Sequence, residues 1–346
     1  MKQDNFRADA RQLRAAGLVR VGSADLPIRR QRRGRGFVYL DENDRRISDD
    51  DVLDRIRSLA IPPAYRDVRI AADERAHLQA VGVDDAGRTQ YRYHPDWSDV
   101  REGAKERRLN AIVSSIGRIR SRIARDARKP VGTREKALAA VVMLIDRSHI
   151  RVGCETYVHS GRSRGAATLQ KRNVLVDGDN VALAFRAKGG LPYSCSMRAP
   201  LLARVLSELS ELPGGRVFQY RDQSGRRIAV TAPQVNAYLH EIAGTRITAK
   251  DFRALAACAE AGRRLAAIEP ADRPTKRRRQ IAAVIDDVAE ILGNTPAVVR
   301  KNYVHALVLE AFEDGSLGKT YRKARAGQGR RRDEALVAAL VAAKGR

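Results

Sequence analysis

The chain has 346 residues, of which 66 are Lys or Arg and 41 Asp or Glu, for a formal net charge of +25. Residues 1–100 carry 19 basic and 17 acidic residues and residues 101–346 carry 47 and 24, so the excess belongs to the second part. Self-repulsion on that scale points to a polyanionic partner, nucleic acid first, because acidic residues would serve solubility at least as well as arginines. The longest apolar run, Ala137–Ile145, has 9 residues and cannot span a bilayer, and Met1-Lys2-Gln3-Asp4-Asn5 lacks the apolar segment of a secretory signal. Cys154, Cys195 and Cys258 lie far apart with no metal-ligand spacing, and read as reduced thiols of a cytosolic protein.

In chain order, Arg29–Arg35 is an Arg-rich stretch that reads as a loop or helix-end cluster. Phe37–Leu40, Val68–Ala71 and Thr89–Tyr93 read as strands, being short, aromatic or β-branched, and bounded by Gly, Asp or Pro. Between the first two, Val52, Leu53, Ile56 and Leu59 keep helical spacing behind Ser48 and Asp49, and Pro62-Pro63 closes that helix. The first module is therefore a small α+β unit of nearly balanced charge. From about Trp97 the period becomes helical, over 98–128 and 133–149, with a break at Lys129-Pro130 and Gly132. A β interlude follows at Ala167–Leu169, Asn173–Val176, Val181–Phe185 and Leu191–Ser196, with Asp177-Gly178 and Lys188-Gly189-Gly190 as turns of an antiparallel meander. Helices are expected at 199–210, 232–243, 249–268, 276–293 and 296–313, and a tail helix at 333–344. The fold class is α+β, with a β-rich domain over 1–98 and a larger, mainly helical domain over 99–346 that contains a small antiparallel sheet.

Gly315-Ser316-Leu317-Gly318-Lys319-Thr320 ends like a phosphate-binding loop but has two residues between its glycines where four are needed, and reads as a helix C-terminal turn. No nucleotide cofactor is expected. Thr248 and Asp251 form a capping box that starts a helix at 249 and sets Lys250 and Arg253 on one face of its first turns. A helix N-terminus flanked by two cations favours an anion such as phosphate, but for one arginine among so many, Arg253 pairing with an acidic neighbour is the default reading. In Gly293-Asn294-Thr295-Pro296, Pro296 suits the first turn of a helix after an Asn or Thr cap. Tyr303 then falls on a stripe with Val299, Ala306 and Leu307, which on its own reads as core. Lys188 sits at the tip of a hairpin, either merely solvated or placed to enter a groove.

Together, Arg151 in Ile150-Arg151-Val152-Gly153, Lys188, Lys250-Asp251-Phe252-Arg253, and Gly293-Asn294-Thr295-Pro296 ahead of Tyr303 resemble the type IB DNA topoisomerases, most of all the short poxvirus and bacterial class. Gly34–Tyr39, Ile61–Tyr65 and Gly87–His94 are similar to the β-rich clamp domain of that class. The resemblance, running from about 15 to 325, implies a two-domain clamp around duplex DNA that works as a monomer in the cytoplasm, at the nucleoid, with no cofactor and no metal. It implies Tyr303 as nucleophile, Arg151 and Arg253 on the non-bridging oxygens, Lys188 as general acid and Asn294 in transition-state binding. Arg88, Tyr91, Tyr93, Tyr157 and Lys250 fall at DNA-contacting positions. Where the family often has histidine this chain has Asn294, which donates a hydrogen bond but cannot shuttle a proton. A tyrosine recombinase shares the tyrosine, arginines and lysine, but usually has histidine where Lys250 stands and a helical N-terminal domain. A non-enzymatic DNA-binding protein would explain the charge alone.

Overall fold

The computed structural model describes residues 10–156, 158, 163–325, 327 and 331–344. The fold is α+β and forms two compact units, Met1–Lys105 and Glu106–Arg346. No helix among the described residues is long and apolar enough to cross a membrane.

The first unit opens with a short helix, α1 (Ala10–Ala15), and is built on a five-stranded antiparallel sheet. Its strands are β1 (Ile28–Arg33), β2 (Gly36–Leu40), β3 (Arg66–Ile70), β4 (Leu78–Val83) and β5 (Thr89–Tyr93), in the order β2-β1-β3-β4-β5. The Arg-rich stretch is thus a strand and hairpin, not a loop or helix end. Ile28 and Arg29 pair with Ile70 and Arg69 of β3, and Arg30 is anchored by the carbonyls of Ile61, Pro62 and Tyr65 while its guanidinium covers the Phe37 ring at 4.2 Å. Long arginine stems can coat a sheet as β-branched residues do, which composition alone hides. Helix α2 (Asp50–Ser58) starts on Asp49, whose carboxylate accepts from the Val52 N–H at 3.1 Å, and packs Ile56 against Ile28, Val68, Ile70 and Ala80.

In the second unit, α3 (Trp97–Asp126, beginning within the first) and α4 (Arg134–Ser148) follow the expected spans. The apolar run Ala137–Ile145 is buried on every side except at Met143, as befits a helix at the centre of a helical domain. The meander is β6 (Val174–Asp177), β7 (Asn180–Arg186) and β8 (Pro192–Arg198), all antiparallel. Ala166–Thr168 is a single 3-10 turn rather than the strand expected at Ala167–Leu169, because its N–H groups bond back to Arg151 and Val152 instead of a neighbouring strand. After α5 (Pro200–Ser210), two short strands not expected from the sequence, β9 (Gln219–Arg221) and β10 (Arg227–Ala229), pair with each other.

Helices α6 (Ala232–Ala243), α7 (Ala249–Ala266) and α8 (Pro274–Leu292) come next. The helix expected over 296–313 is two helices, α9 (Pro296–Asn302) and α10 (Ala306–Glu313), broken at Tyr303–His305. His305 is the cause: its Nδ1 accepts from the Leu307 N–H at 3.2 Å and caps α10 anew. Gly315, at φ 75°, ends α10, but Gly318-Lys319-Thr320 then lie inside a further helix, α11 (Leu317–Lys323). The tail helix is α12 (Arg332–Lys344).

A buried charge cluster ties α12 to the core. Arg120 on α3 donates to Asp146 on α4 and Glu334 on α12, both at 2.7 Å, and Arg331 reaches Asp146 at 3.0 Å. Burial alone would raise the Asp146 carboxyl; the hydrogen bond and charge of Arg120, with Arg331 behind, outweigh it and hold Asp146 below the usual carboxylate range. Removing the cation shared by two buried carboxylates leaves them only Arg331, so Arg120→Met is expected to lose about 3–5 kcal/mol in urea unfolding. Because the folded-state pKa of Asp146 is depressed, its contribution is complete above its unfolded value, ~4, and fades as pH falls through the folded one. Acid titration of the unfolding free energy should therefore be shallower in Arg120→Met.

Candidate active site

Arg253 lies in the second turn of α7, whose start is fixed as the sequence indicates: Asp251 Oδ2 accepts from the Thr248 N–H at 2.7 Å and from Thr248 Oγ1 at 2.8 Å. Arg253 is 3% exposed, yet among the described residues no carboxylate pairs with it. Its Nη1 donates to the His149 carbonyl and its Nη2 to the Leu292 carbonyl at 2.9 Å. Arg151 is held in the same manner, by the Gly293 carbonyl at 3.0 Å and by Asn294 Oδ1.

These anchors are the ends of helices. Gly293, at φ 57°, reverses the chain after α8, and the Gly293 and Asn294 N–H groups fold back on Glu290 and Ala289, each at 3.0 Å. That leaves the Leu292 and Gly293 carbonyls for the two arginines. His149 does likewise for α4: it is a left-handed residue at φ 55° whose N–H bonds to Ile145. Burial, with Arg331 adding to it, pushes the His149 imidazole down to about 4, so it is neutral near pH 7. Both guanidiniums therefore sit at the negative ends of helix dipoles, bonded but not neutralised.

The break between α9 and α10 brings Tyr303 to these cations. Its backbone (φ −125°, ψ −51°) has left the helix, and its half-buried ring packs against the core, as the periodicity suggests, while also facing these cations. The Arg253 guanidinium stands 5.2 Å from the ring centroid and Lys250 Nζ 5.8 Å. Burial alone would raise the phenol's pKa; the charge and hydrogen-bonding approach of Arg253, then Lys250 and Arg151, overcome it and hold Tyr303 below the usual phenol range. Asn294 does not cap α9, a position taken by Thr295. Since a guanidinium only donates, Asn294 must turn its oxygen to Arg151, and among the described residues its buried Nδ2 finds no hydrogen-bond partner, nor does the buried Nε of Arg253.

Tyr303, Arg151, Arg253, Lys250 and Asn294 thus converge, whereas Lys188 does not join them. It stands exposed at the β7–β8 tip, where Gly189 and Gly190 take φ 80° and 76°. Sequence reasoning missed the carbonyl anchors at His149, Leu292 and Gly293, of which only the glycine carries a readable signal.

The match to known proteins covers both units. Residues 97–328 match the family described as eukaryotic DNA topoisomerase I, catalytic core, and residues 36–84 the bacterial DNA topoisomerase IB N-terminal domain. The chain belongs to the type IB DNA topoisomerases. DNA topoisomerase 1B of Acanthamoeba polyphaga mimivirus is 29% identical over 296 residues, 83% of this chain and 88% of that one. DNA topoisomerase 1B of vaccinia virus (strain Copenhagen) is 23% identical over 290 residues, 81% of this chain and 88% of the relative.

Among the topoisomerase positions expected to meet DNA, Arg88 is exposed and salt-bridged to Asp84 at 2.9 Å. Tyr91 and Tyr93, two residues apart on β5, share a face of the strand and stack at 6.2 Å. Both are half-buried against Leu26, Ala71, Ala76 and Leu78, so packing holds at least part of each ring. Tyr157 lies outside the described residues.

The Arg151 loop has little room. Ala166 and Ala167 N–H groups hold the Arg151 and Val152 carbonyls at 2.8 Å, and a Cβ on Gly165 would fall 2.4 Å from the Arg151 carbonyl oxygen and 2.5 Å from the Gly153 nitrogen. Both are backbone atoms, so Gly165→Ala must displace Arg151. It is expected to slow relaxation of supercoiled plasmid by roughly 100-fold, the scale of an ångström's misplacement, with the protein still folded by circular dichroism.

Proposed function

We propose that this topoisomerase relaxes supercoiled duplex DNA by cutting one strand at a time through a 3′-phosphotyrosine at Tyr303, with neither ATP nor a metal ion required. The observation that carries the reading is a phenol faced by Arg253, Lys250 and Arg151, with neither arginine compensated by a carboxylate among the described residues. The Tyr303 oxygen, giving up its proton to solvent water, attacks the phosphorus; the Tyr–O–P bond forms and the P–O5′ bond breaks. The departing 5′-oxygen takes a proton from Lys188 and leaves as a hydroxyl. After the strand has swivelled, that hydroxyl reverses every step, and the phosphotyrosine has conserved the bond energy.

The roles follow from charge development. The phosphorane-like transition state gathers negative charge on its non-bridging oxygens, and Arg151 and Arg253 stabilise it there without moving. Arg253 Nε and Asn294 Nδ2 are donors suited to the same oxygens, which assigns Asn294 to transition-state binding alone. Lys250 supports the DNA phosphate beside Tyr303. Lys188 acts from its hairpin, which enters the groove when DNA is bound. Arg88, Tyr91, Tyr93 and Tyr157 contact the duplex. The enzyme works as a monomer in the cytoplasm, on nucleoid DNA.

The deciding assay is relaxation of supercoiled plasmid with EDTA present and ATP absent, stopped with detergent, beside Tyr303→Phe. Relaxation and a covalent adduct by the wild type alone are expected, with DNA binding retained in the variant. An adduct on a specific duplex without relaxation would favour a recombinase, and neither would leave a basic DNA-binding protein. Arg151→Ala and Arg253→Ala should each lose about 3–4 kcal/mol of transition-state stabilisation in single-turnover cleavage. The same assay run against pH should show the rate rising with deprotonation of Tyr303 and levelling below the ordinary phenol value of ~10, because the cations depress it.

A further inference from the structure

A broken helix leaves backbone groups without their usual partners. In an unbroken helix the Leu307 N–H would reach the Tyr303 carbonyl; here it goes to His305 Nδ1. The Tyr303 carbonyl and the His305 N–H turn instead to one atom, Cys258 Sγ, at 3.4 and 3.3 Å. A thiol can serve both at once, its S–H donating to the carbonyl and its sulfur accepting from the amide. Cys258 is wholly buried, and it lies on α7, five residues past Arg253, about 7.5 Å along the helix axis. One rigid helix therefore offers Lys250 and Arg253 to the tyrosine's ring and Cys258 to its backbone.

We infer that Cys258 is a positioning residue for the nucleophile: its thiol pins the turn Tyr303–His305 to the helix that carries the cations and so sets the phenol against Arg253. The inference rests on Tyr303 being the nucleophile. An apolar residue in place of Cys258 leaves a buried donor and a buried acceptor unpaired, a penalty the turn relieves only by moving. A hydroxyl in its place keeps both functions on a slightly shorter arm.

The test compares Cys258→Ala and Cys258→Ser with the wild type. It reads single-turnover cleavage of a duplex, DNA affinity, and the phenol titration of Tyr303 by ultraviolet difference against each protein's Tyr303→Phe counterpart. Cys258→Ala is expected to cleave roughly tenfold or more slowly at unchanged DNA affinity, with the Tyr303 titration moved up toward ~10 as the ring leaves the cations. Cys258→Ser should recover most of both. A role confined to stability would lower the melting temperature and leave the titration of the folded protein where it was. An unmoved titration in folded Cys258→Ala overturns the inference, as does a Cys258→Ser no better than Cys258→Ala. If Cys258→Ala does not fold, Cys258→Val, which fills the site without a strong donor, takes its place with the same expectations. Should the wild type form no covalent adduct, the nucleophile assignment falls, and the titration still decides whether Cys258 holds the turn.

Discussion

Two guanidiniums held by main-chain carbonyls are the feature around which the catalytic unit is arranged. A carboxylate would fix Arg151 or Arg253 just as firmly, but it would cancel the charge; Arg120, shared by Asp146 and Glu334, shows that outcome elsewhere in the same unit. Carbonyls at helix C-termini supply hydrogen bonds and a favourable dipole while leaving a full positive charge to meet an anion. The arrangement has a cost. Burial and mutual repulsion lower the Arg151 pKa, with the neighbouring phenol only partly compensating. On the proposed function, a phosphodiester bound between the two guanidiniums would offset both penalties and so link DNA binding to the strength of the fold.

The support extends well beyond the residues that meet the tyrosine. His149, whose carbonyl holds Arg253, follows the helix that Arg120 and Arg331 clamp through Asp146. Helix α12 lies close on α7, where a Cβ on Gly262 would come within 2.7 Å of Leu336. A 200 Å³ cavity between these elements is lined by His149, Leu292, Arg331 and Glu334, so both carbonyl anchors of Arg253 border the surface that the carboxy-terminal helix covers. The last helix is therefore part of what keeps Arg253 in place, though it carries none of the site residues.

What could be read from the sequence is what local chemistry dictates. The Thr248–Asp251 box, Pro296 at a helix start, the Asp177-Gly178 turn and the alternation of Tyr91 and Tyr93 all appear where their residue types require them. What escaped depends on partners distant in the chain. The strand Ile28–Arg33 is four-sixths arginine with Ile28 its single β-forming residue, and it pairs on one side with β2 and on the other with Ile70 and Arg69, some forty positions on. The break at Tyr303 is invisible to periodicity, since Val299 and Leu307 keep the spacing and the interruption needs His305 and Cys258 in three dimensions. The carbonyls that hold the arginines belong to His149, Leu292 and Gly293 whatever their side chains, and a backbone acceptor has no letter of its own. Hence the resemblance named the candidate site residues, and the structure gives the reason their charge survives burial.

At the end of β5, Tyr93 stacks on Trp97 at 5.7 Å, His77 meets the same indole edge-on at 4.9 Å, and Trp97 is the chain's single tryptophan, 4% exposed. Indole emission excited at the red edge of its absorption band consequently arises from one dry, ring-lined place in the amino-terminal unit. It is a built-in optical reporter whose colour and intensity track the tyrosines at the rim of the sheet.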